Sequence, residues 1–534
     1  MEKQSLTKGF AVMSAAGIIT KIMSFLYIPF LMAIIGDEGT GVYGAIYQVY
    51  VFIYVIANSG IPVAISKSIS ELTALENHKD ALRTFKIARS YLILLGLVLT
   101  LIMLFTAGSM ASLLKNEKAA LGIAVLSPTL LITAIVSSYR GYFQGRGNMT
   151  PTAVSQVIEQ IINIIFTLLF AYLFRKSIEW SCAGATIGTS LGALVAAAYL
   201  VYIFNRNKNP HEFKANKNVR VMRLPYKKLA VRIIKYSIPI TVCVAAQYAG
   251  NLIDLANIMT RLQAAGYSES EASKLYGLLF KYQQLINAPI AIAAALAATI
   301  LPIVSAAVAL DDRSQIKEKI NYAFRLCFII AIPSAVGLSV LSKPVYSILK
   351  YGSGAYLMTY GSIVLVLMSV SQIQTSILQG AGRLYKATFY LLLGILVKII
   401  VNYFLIGIKD INIMGAIIGS ILGFSVPILL NTIEIKKNLG VKISLSKQAL
   451  RPFISSSFMG LIVWIIYKLS YFILNFVGNS YIANLLATAI SVLAGLIAFM
   501  LVMVIIKGIT REDLNNMPSR LKTVIPKKLI SMIR

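Results

Sequence analysis

Apolar runs of twenty or more residues recur from one end of the chain to the other, separated by short polar stretches. A helix rises 1.5 Å per residue, so about 20 apolar residues cross the ~30 Å hydrocarbon core of a bilayer. Roughly fourteen such spans are predicted, near 9–36, 41–66, 88–110, 119–141, 151–175, 180–204, 233–260, 276–306, 320–343, 355–378, 385–407, 412–435, 448–472 and 482–507. Composition agrees: 57% of the 534 residues are hydrophobic and 13% charged, outside the range of a soluble fold. The fold class expected is an all-α polytopic membrane protein.

A formal net charge of +30 raises the question of nucleic acid. Its placement argues otherwise. Lys and Arg gather at the N-terminus, in the even-numbered loops and in the C-terminal tail, most densely in RNKNPHEFKANKNVRVMRLPYKK at 206–228. Odd-numbered loops such as GDEGTG at 36–41 are short and poor in basic residues. The positive-inside rule then predicts both termini in the cytoplasm of a multi-pass cell-membrane protein, with the basic excess facing anionic lipid. Cys182, Cys243 and Cys327 fall inside spans without a pairing pattern and read as core filler. His78 and His211 lie in cytoplasmic loops, and no metal site is expected. The first span runs too long for a signal peptide and lacks a small-residue cleavage site, so it is expected to be retained.

Three motifs recur in order. VYGAIYQVY at 42–50 matches LYGLLFKYQ at 275–283, Gln144–Gly147 matches Gln379–Gly382, and GATIGTSLG at 184–192 matches GAIIGSILG at 415–423. The offsets are 233, 235 and 231 residues. Six spans per repeat predict two parallel lobes, 1–204 and 233–440, joined by a basic cytoplasmic linker at 205–232 and followed by two additional helices and a tail in 441–534. The Gly184/Gly188/Gly192 and Gly415/Gly419/Gly423 stripes predict close helix packing.

The motif SSYRGYFQGRGNMTPTA at 137–153 falls on the turn between spans four and five, and ILQGAGRLYKATFY at 377–390 on its counterpart. One reading is a tight membrane-proximal turn, with glycines supplying special backbone angles and Pro151 starting the next helix. The other has Arg140 and Arg146 lining a cytoplasmic mouth and drawing in anions.

A charge at the bilayer centre costs about 2.5–3.5 kcal/mol, so ionisable residues inside spans are functional candidates. Span one carries Ser14, Gly17, Lys21 and Ser24 as one stripe; span seven carries Gln247, Asn251, Asp254 and Arg261; span eight carries Lys281 and Gln284. In a two-bundle arrangement these helices meet at a cleft with a net positive lining, suited to an anionic ligand. The alternative is that Lys21 or Lys281 simply pairs with Asp254. Glu159, Asn163, Lys398 and Asn402 form a second polar set, read as hydrogen bonding within each bundle in preference to ligand contact. Ser268 and Glu271 have capping-box spacing. There is no P-loop motif for nucleotide hydrolysis, and no long external loop with Asp, Glu or His clusters for acid–base chemistry. An enzyme is not expected.

GIPVAISK at 60–67, SYRGYFQGRGNMTPTAVSQVIEQ at 138–160, RLQAAGYSESEASKLYG at 261–277 and QLINAPIAIAAALAATILPIVS at 284–305 give the chain its family likeness. It resembles the multidrug/oligosaccharidyl-lipid/polysaccharide exporter superfamily, in the polysaccharide-transporter branch that includes the stage V sporulation protein B group and the MurJ-type lipid II flippases. The resemblance implies alternating access about a cationic cavity, a lipid-linked cell-wall oligosaccharide as cargo, and a groove for the polyprenyl tail along the two extra helices. By position, a span-one arginine of lipid II flippases falls on Lys21 and another on Tyr27, while a span-eight arginine falls on Gln284, one turn from Lys281. A lysine does not reproduce arginine's two-pronged grip on phosphate.

The expected partners are the lipid-linked oligosaccharide, membrane lipids and cell-wall synthesis enzymes, with no nucleic acid and a monomeric chain. No cofactor is expected. Export of an anion would draw on the membrane potential, about 2.3 kcal/mol per charge per 100 mV, or on a monovalent cation. Two other readings stand beside the flippase: a cation-coupled drug antiporter, which needs a membrane-embedded acid, and a non-transporting scaffold for wall or spore-coat synthesis.

Overall fold

The computed structural model describes residues 6–206, 224–309, 313–441, 444–476 and 478–508. Every regular element among them is a helix. Two compact units are present, Met1–Phe280 and Lys281–Arg534, and the boundary between them falls inside a helix. Most of the basic linker, the C-terminal tail and His211 lie outside the described residues.

The first unit opens with α1 (Leu6–Asn58), α2 (Gly60–Ala74) and α3 (His78–Phe105), followed by the short α4 (Ala107–Leu113) and α5 (Ala119–Leu126). Then come α6 (Pro128–Gly145), α7 (Thr150–Leu173), α8 (Ile178–Arg206), α9 (Tyr226–Ala264) and the start of α10 (Glu269–Ala309). The second unit continues from Lys281 with the rest of α10, then α11 (Arg313–Val340), α12 (Ser342–Ile348), α13 (Ala355–Gly361) and α14 (Ile363–Gly380). It closes with α15 (Leu384–Ile406), α16 (Met414–Leu439), α17 (Leu445–Asn475) and α18 (Ser480–Ile505).

Thirteen segments among the described residues are long and apolar enough to cross a membrane. The first, Val12–Ala74, has 63 residues, or about 95 Å of helix at 1.5 Å per residue, far beyond one ~30 Å crossing. It covers the two predicted spans 9–36 and 41–66. Gly36, at φ 72 and ψ −175, breaks the helix between them. Counting that segment as two recovers fourteen. The chain is a multi-pass membrane protein.

Several predicted spans are not single helices: 41–66 passes from α1 into α2 at Ser59, 88–110 from α3 into α4 at Thr106 and 320–343 from α11 into α12 at Leu341. Span 119–141 is α5 and α6, divided at Ser127–Pro128, and span 355–378 is α13 and α14, divided at Ser362. Pro128 suits a first helical turn, where its missing N–H costs nothing. The Ser127 hydroxyl donates to the Ala124 carbonyl at 2.8 Å, while the Ser127 carbonyl accepts from Thr100 at 3.1 Å. Polar backbone at a break inside lipid is satisfied by such local bonds.

Helix ends repeat along the chain. The starts of α3 and α11 (78 and 313), α4 and α12 (107 and 342), and α6 and α14 (128 and 363) all differ by 235, and so do their ends. Within each unit, small residues let helices approach. A Cβ added to Gly192 would lie 2.5 Å from the Glu159 carbonyl oxygen of α7, and one on Gly188 2.7 Å from that of Asn163. A Cβ on Gly423 would lie 2.8 Å from Lys398 Cβ of α15. Both glycine stripes are therefore packing faces, as expected where lipid gives helices no hydrophobic reason to associate.

Candidate functional site

Lys21 lies on α1 among exposed Ile18, Ile22 and Phe25, and is itself exposed. Ser24 and Thr20 turn their hydroxyls back to the carbonyls four residues earlier, at 2.8 and 2.9 Å. That satisfies them without a neighbouring helix. No hydrogen bond or ion pair joins Lys21 to any described residue.

On α9 the predicted stripe is not uniform. Gln247 is exposed, Asn251 and Arg261 are half-buried, and Asp254 is buried at 5% exposure. The Ser268–Glu271 capping box is present, with the Ser268 amide donating to Glu271 at 2.8 Å and the Glu271 amide to Ser268 Oγ at 3.3 Å. It fixes the turn that separates Arg261 from α10.

Lys281, the first residue of the second unit, is 2% exposed. Its ammonium donates to the Tyr351 carbonyl at 2.9 Å and lies 5.3 Å from the centre of the Tyr351 ring. Tyr351 follows the C-terminus of α12, where carbonyls point outward and favour a cation. Gln284, one turn on, is half-buried. The candidates thus divide as five in the first unit (Lys21, Ser24, Asn251, Asp254, Arg261) and two in the second.

The two mouth candidates have separate partners. Arg140 on α6 donates to Ser155 Oγ at 3.0 Å and to Glu159 Oε2 at 2.6 Å, both on α7. The pair is partly sheltered, with side chains 17% and 27% exposed. Arg146 lies 3.0 Å from His78 Nδ1 at the start of α3. Asn163 accepts from Thr167 at 2.8 Å and Thr189 at 3.3 Å, and Thr189 meets the Tyr47 hydroxyl at 2.5 Å.

That last contact belongs to a feature the sequence reading missed. Tyr43, Tyr47, Tyr50 and Tyr54 follow one another along α1 with ring centres 4.7, 6.1 and 5.6 Å apart. Their 4-3-4 spacing was the available signal.

Outside the spans, Lys118 bonds Glu38 at 2.6 Å, the Glu117 amide donates to Glu269 at 2.8 Å, and Gln263 donates to the Lys115 carbonyl at 2.7 Å. The hydrogen bond with Glu38 holds the Lys118 ammonium above the ordinary lysine range, against a smaller desolvation effect.

Known proteins share this architecture. The chain is 26% identical over 490 residues to the lipid II flippase MurJ of Bacillus subtilis (strain 168), covering 88% of this chain and 90% of that protein. It is 27% identical over 458 residues to stage V sporulation protein B of the same organism, covering 84% and 87%. Among solved structures, a lipid II flippase MurJ in an inward closed conformation matches with a TM-score of 0.67 at 15% identity, over 93% of this chain and 98% of that one. An inward-facing MATE family transporter of the MOP superfamily matches at 0.68 and 16% identity, over 80% and 96%. These two carry the fold. The model of the family described as polysaccharide biosynthesis protein matches residues 6–308, more than half of the sequence, and the chain belongs to that family.

Proposed function

We propose that this protein is a flippase that moves an undecaprenyl-diphosphate-linked cell-wall oligosaccharide, with lipid II the leading cargo, across the cytoplasmic membrane by alternating access. The observation that carries the reading is the end-to-end similarity to a lipid II flippase and to a stage V sporulation protein. In this reading the chain forms two six-helix lobes with both termini in the cytoplasm. Lys21, Ser24, Asn251, Asp254, Arg261, Lys281 and Gln284 line a central cavity. Lys21, exposed on an apolar helix, is the cation that meets phosphate first. Lys281, buried against Tyr351, contributes positive potential more than direct contact. Arg140 and Arg146 sit at the cytoplasmic mouth, where each already has a partner. An inside-negative potential would drive the anionic headgroup outward without nucleotide hydrolysis.

A drug/cation antiporter is the second reading, favoured by the MATE-like fold and by one buried acid in α9, Asp254. Complementation separates the two. The wild-type chain should rescue a strain depleted of its lipid II flippase, and Lys21→Ala should abolish rescue at unchanged expression. Failure of the wild type to rescue, with drug resistance conferred instead and lost in Asp254→Asn, would replace the flippase by the antiporter.

A further inference from the structure

Arg140 stands five residues before the end of α6 and Glu159 nine residues after the start of α7, about 8 and 14 Å along their helices. A guanidinium at such a depth in a membrane-spanning helix is costly unless it is partnered. Two described bonds hold it. Nη2 donates to Glu159 Oε2 at 2.6 Å, and Nε donates to Ser155 Oγ at 3.0 Å. Glu159 therefore meets the guanidinium through one oxygen, whereas the strongest arginine contacts with carboxylate or phosphate are two parallel bonds from the fork. The side chains are 17% and 27% exposed, so the pair is sheltered but not sealed.

The ion pair beside the α14–α15 turn is built the other way round. Glu434, 4% exposed, accepts from Lys386 and Asn438 at 2.6 Å and from Tyr390 at 3.1 Å. Three donors enclose that acid, and its lysine is the open partner at 45%. In the first unit the cation is the more enclosed partner and has the looser grip. The end of α1 adds polar groups beside it. Ser137, one turn before Arg140, donates to Asn58 Oδ1 at 2.6 Å, and Tyr54 lies within electrostatic reach of both Arg140 and Glu159.

A one-pronged pair that is open on one side can be displaced by an anion that offers the fork two oxygens. We propose that Glu159 is a built-in competitor for Arg140: it occupies the guanidinium until a phosphate-type group binds strongly enough to take its place. The inference rests on the flippase reading for the role of that anion as cargo, and not for the competition itself.

Competition leaves the ratio of affinities for two anions unchanged, because each must break the same pair. It sets a threshold instead. A singly charged phosphodiester, such as a bulk phospholipid head, leaves Arg140 with Glu159 when cargo is scarce. A diphosphate, with more charge and more oxygens, still displaces the carboxylate.

Calorimetric titration of the purified full chain in detergent tests this, with pyrophosphate and dimethyl phosphate as probes of a diphosphate and a phosphodiester. E159Q, which keeps the shape but not the charge, should bind both probes about tenfold tighter than wild type, by the same factor. E159D draws the carboxylate back by one methylene and should gain less. R140Q/E159Q should show no gain, and E434Q, which frees only an exposed lysine, should gain less than about twofold. A merely structural tie between α6 and α7 would lower thermal stability in E159Q without raising affinity. Unchanged or weaker binding in E159Q and E159D, a gain for one probe only, or a gain that persists in R140Q/E159Q overturns the competitor. An equal gain in E434Q does the same. Should E159Q fail to fold, the gain in E159D decides alone. An Arg140-dependent gain in a chain that fails complementation would overturn the transport reading and leave the competitor standing. Complementation by the wild type without that gain would do the reverse.

Discussion

The α6–α7 turn and the α14–α15 turn are the same backbone carrying different chemistry. Gly147 and Gly382 both adopt φ 73. Around them the hydrogen bonds match: Gly147 to the Gln144 carbonyl and Asn148 to that of Phe143, against Gly382 to Gln379 and Arg383 to Leu378. This is the Schellman closure of a helix. The packing beneath is duplicated too. A Cβ on Gly145 would meet the Ser66 carbonyl oxygen at 2.7 Å and Ile69 Cβ at 2.8 Å, and one on Gly380 the Leu301 oxygen at 2.8 Å and Val304 Cβ at 3.3 Å. Ser66 and Leu301, like Ile69 and Val304, are again 235 apart.

The contacts of the charged side chains do not follow. The first turn has Arg140 with Glu159 and Arg146 with His78; the second has Lys386 with Glu434 at 2.6 Å and Arg383 with Asn438 at 3.0 Å. Backbone geometry tolerates one residue type at two positions, whereas charge only needs a partner within reach. The turn has been kept and the electrostatics rewritten.

The sharpest way to break this comparison is to crowd the two closely packed glycines, Gly145, which is buried, and Gly380, which is half-buried. G145A and G380A should each cost about 1–3 kcal/mol through overpacking, and G147A and G382A about 1–2 kcal/mol through left-handed strain. Thermal unfolding in detergent should rank the four in matched pairs. A large loss for G145A beside none for G380A would show that the duplicated register has no energetic counterpart.

The carboxylates, unlike the glycines, should not match. Glu434 is 4% exposed and also accepts from Tyr390 at 3.1 Å and Asn438 at 2.6 Å, while Glu159 is more open. E434Q should therefore cost about 1.5–3 kcal/mol and E159Q about half as much. Equal losses would mean that the second turn's network adds nothing beyond its ion pair.

The smallest effect belongs to a pair remote from both turns, and it serves as a control. The Lys118 ammonium is raised by Glu38, so its contribution is complete below the ordinary lysine pKa and is lost as pH rises through the higher folded value. E38Q should cost about 0.2–1 kcal/mol at neutral pH. The gap from wild type should close at alkaline pH while the glycine variants keep theirs.

Much of this was legible in the sequence because lipid enforces it. Apolar runs, the glycine stripes and the three motifs near one offset predicted the helices, their packing faces and the repeat. The breaks at Ser127 and Ser362 were hidden by equally apolar flanks, although Pro128 marked the first. Lys21 stood out as a charge in an apolar span, and Arg140 as part of the polar turn motif at 137–153. The partner of Arg140 did not, because Glu159 lies 19 residues away on another helix and only the fit of α6 on α7 brings them together. A groove of about 1110 Å³ between α11, α12, α17 and α18 was less visible still, since its walls come from helices more than a hundred residues apart in the chain.

That groove opens sideways at Leu461 and Trp464. An amphiphile entering through this flank never has to leave the membrane, so its occupancy would follow its mole fraction among the surrounding lipids, not its concentration in water. Two bilayers of different lipid make-up, at the same bulk dose, would then fill the site to different degrees.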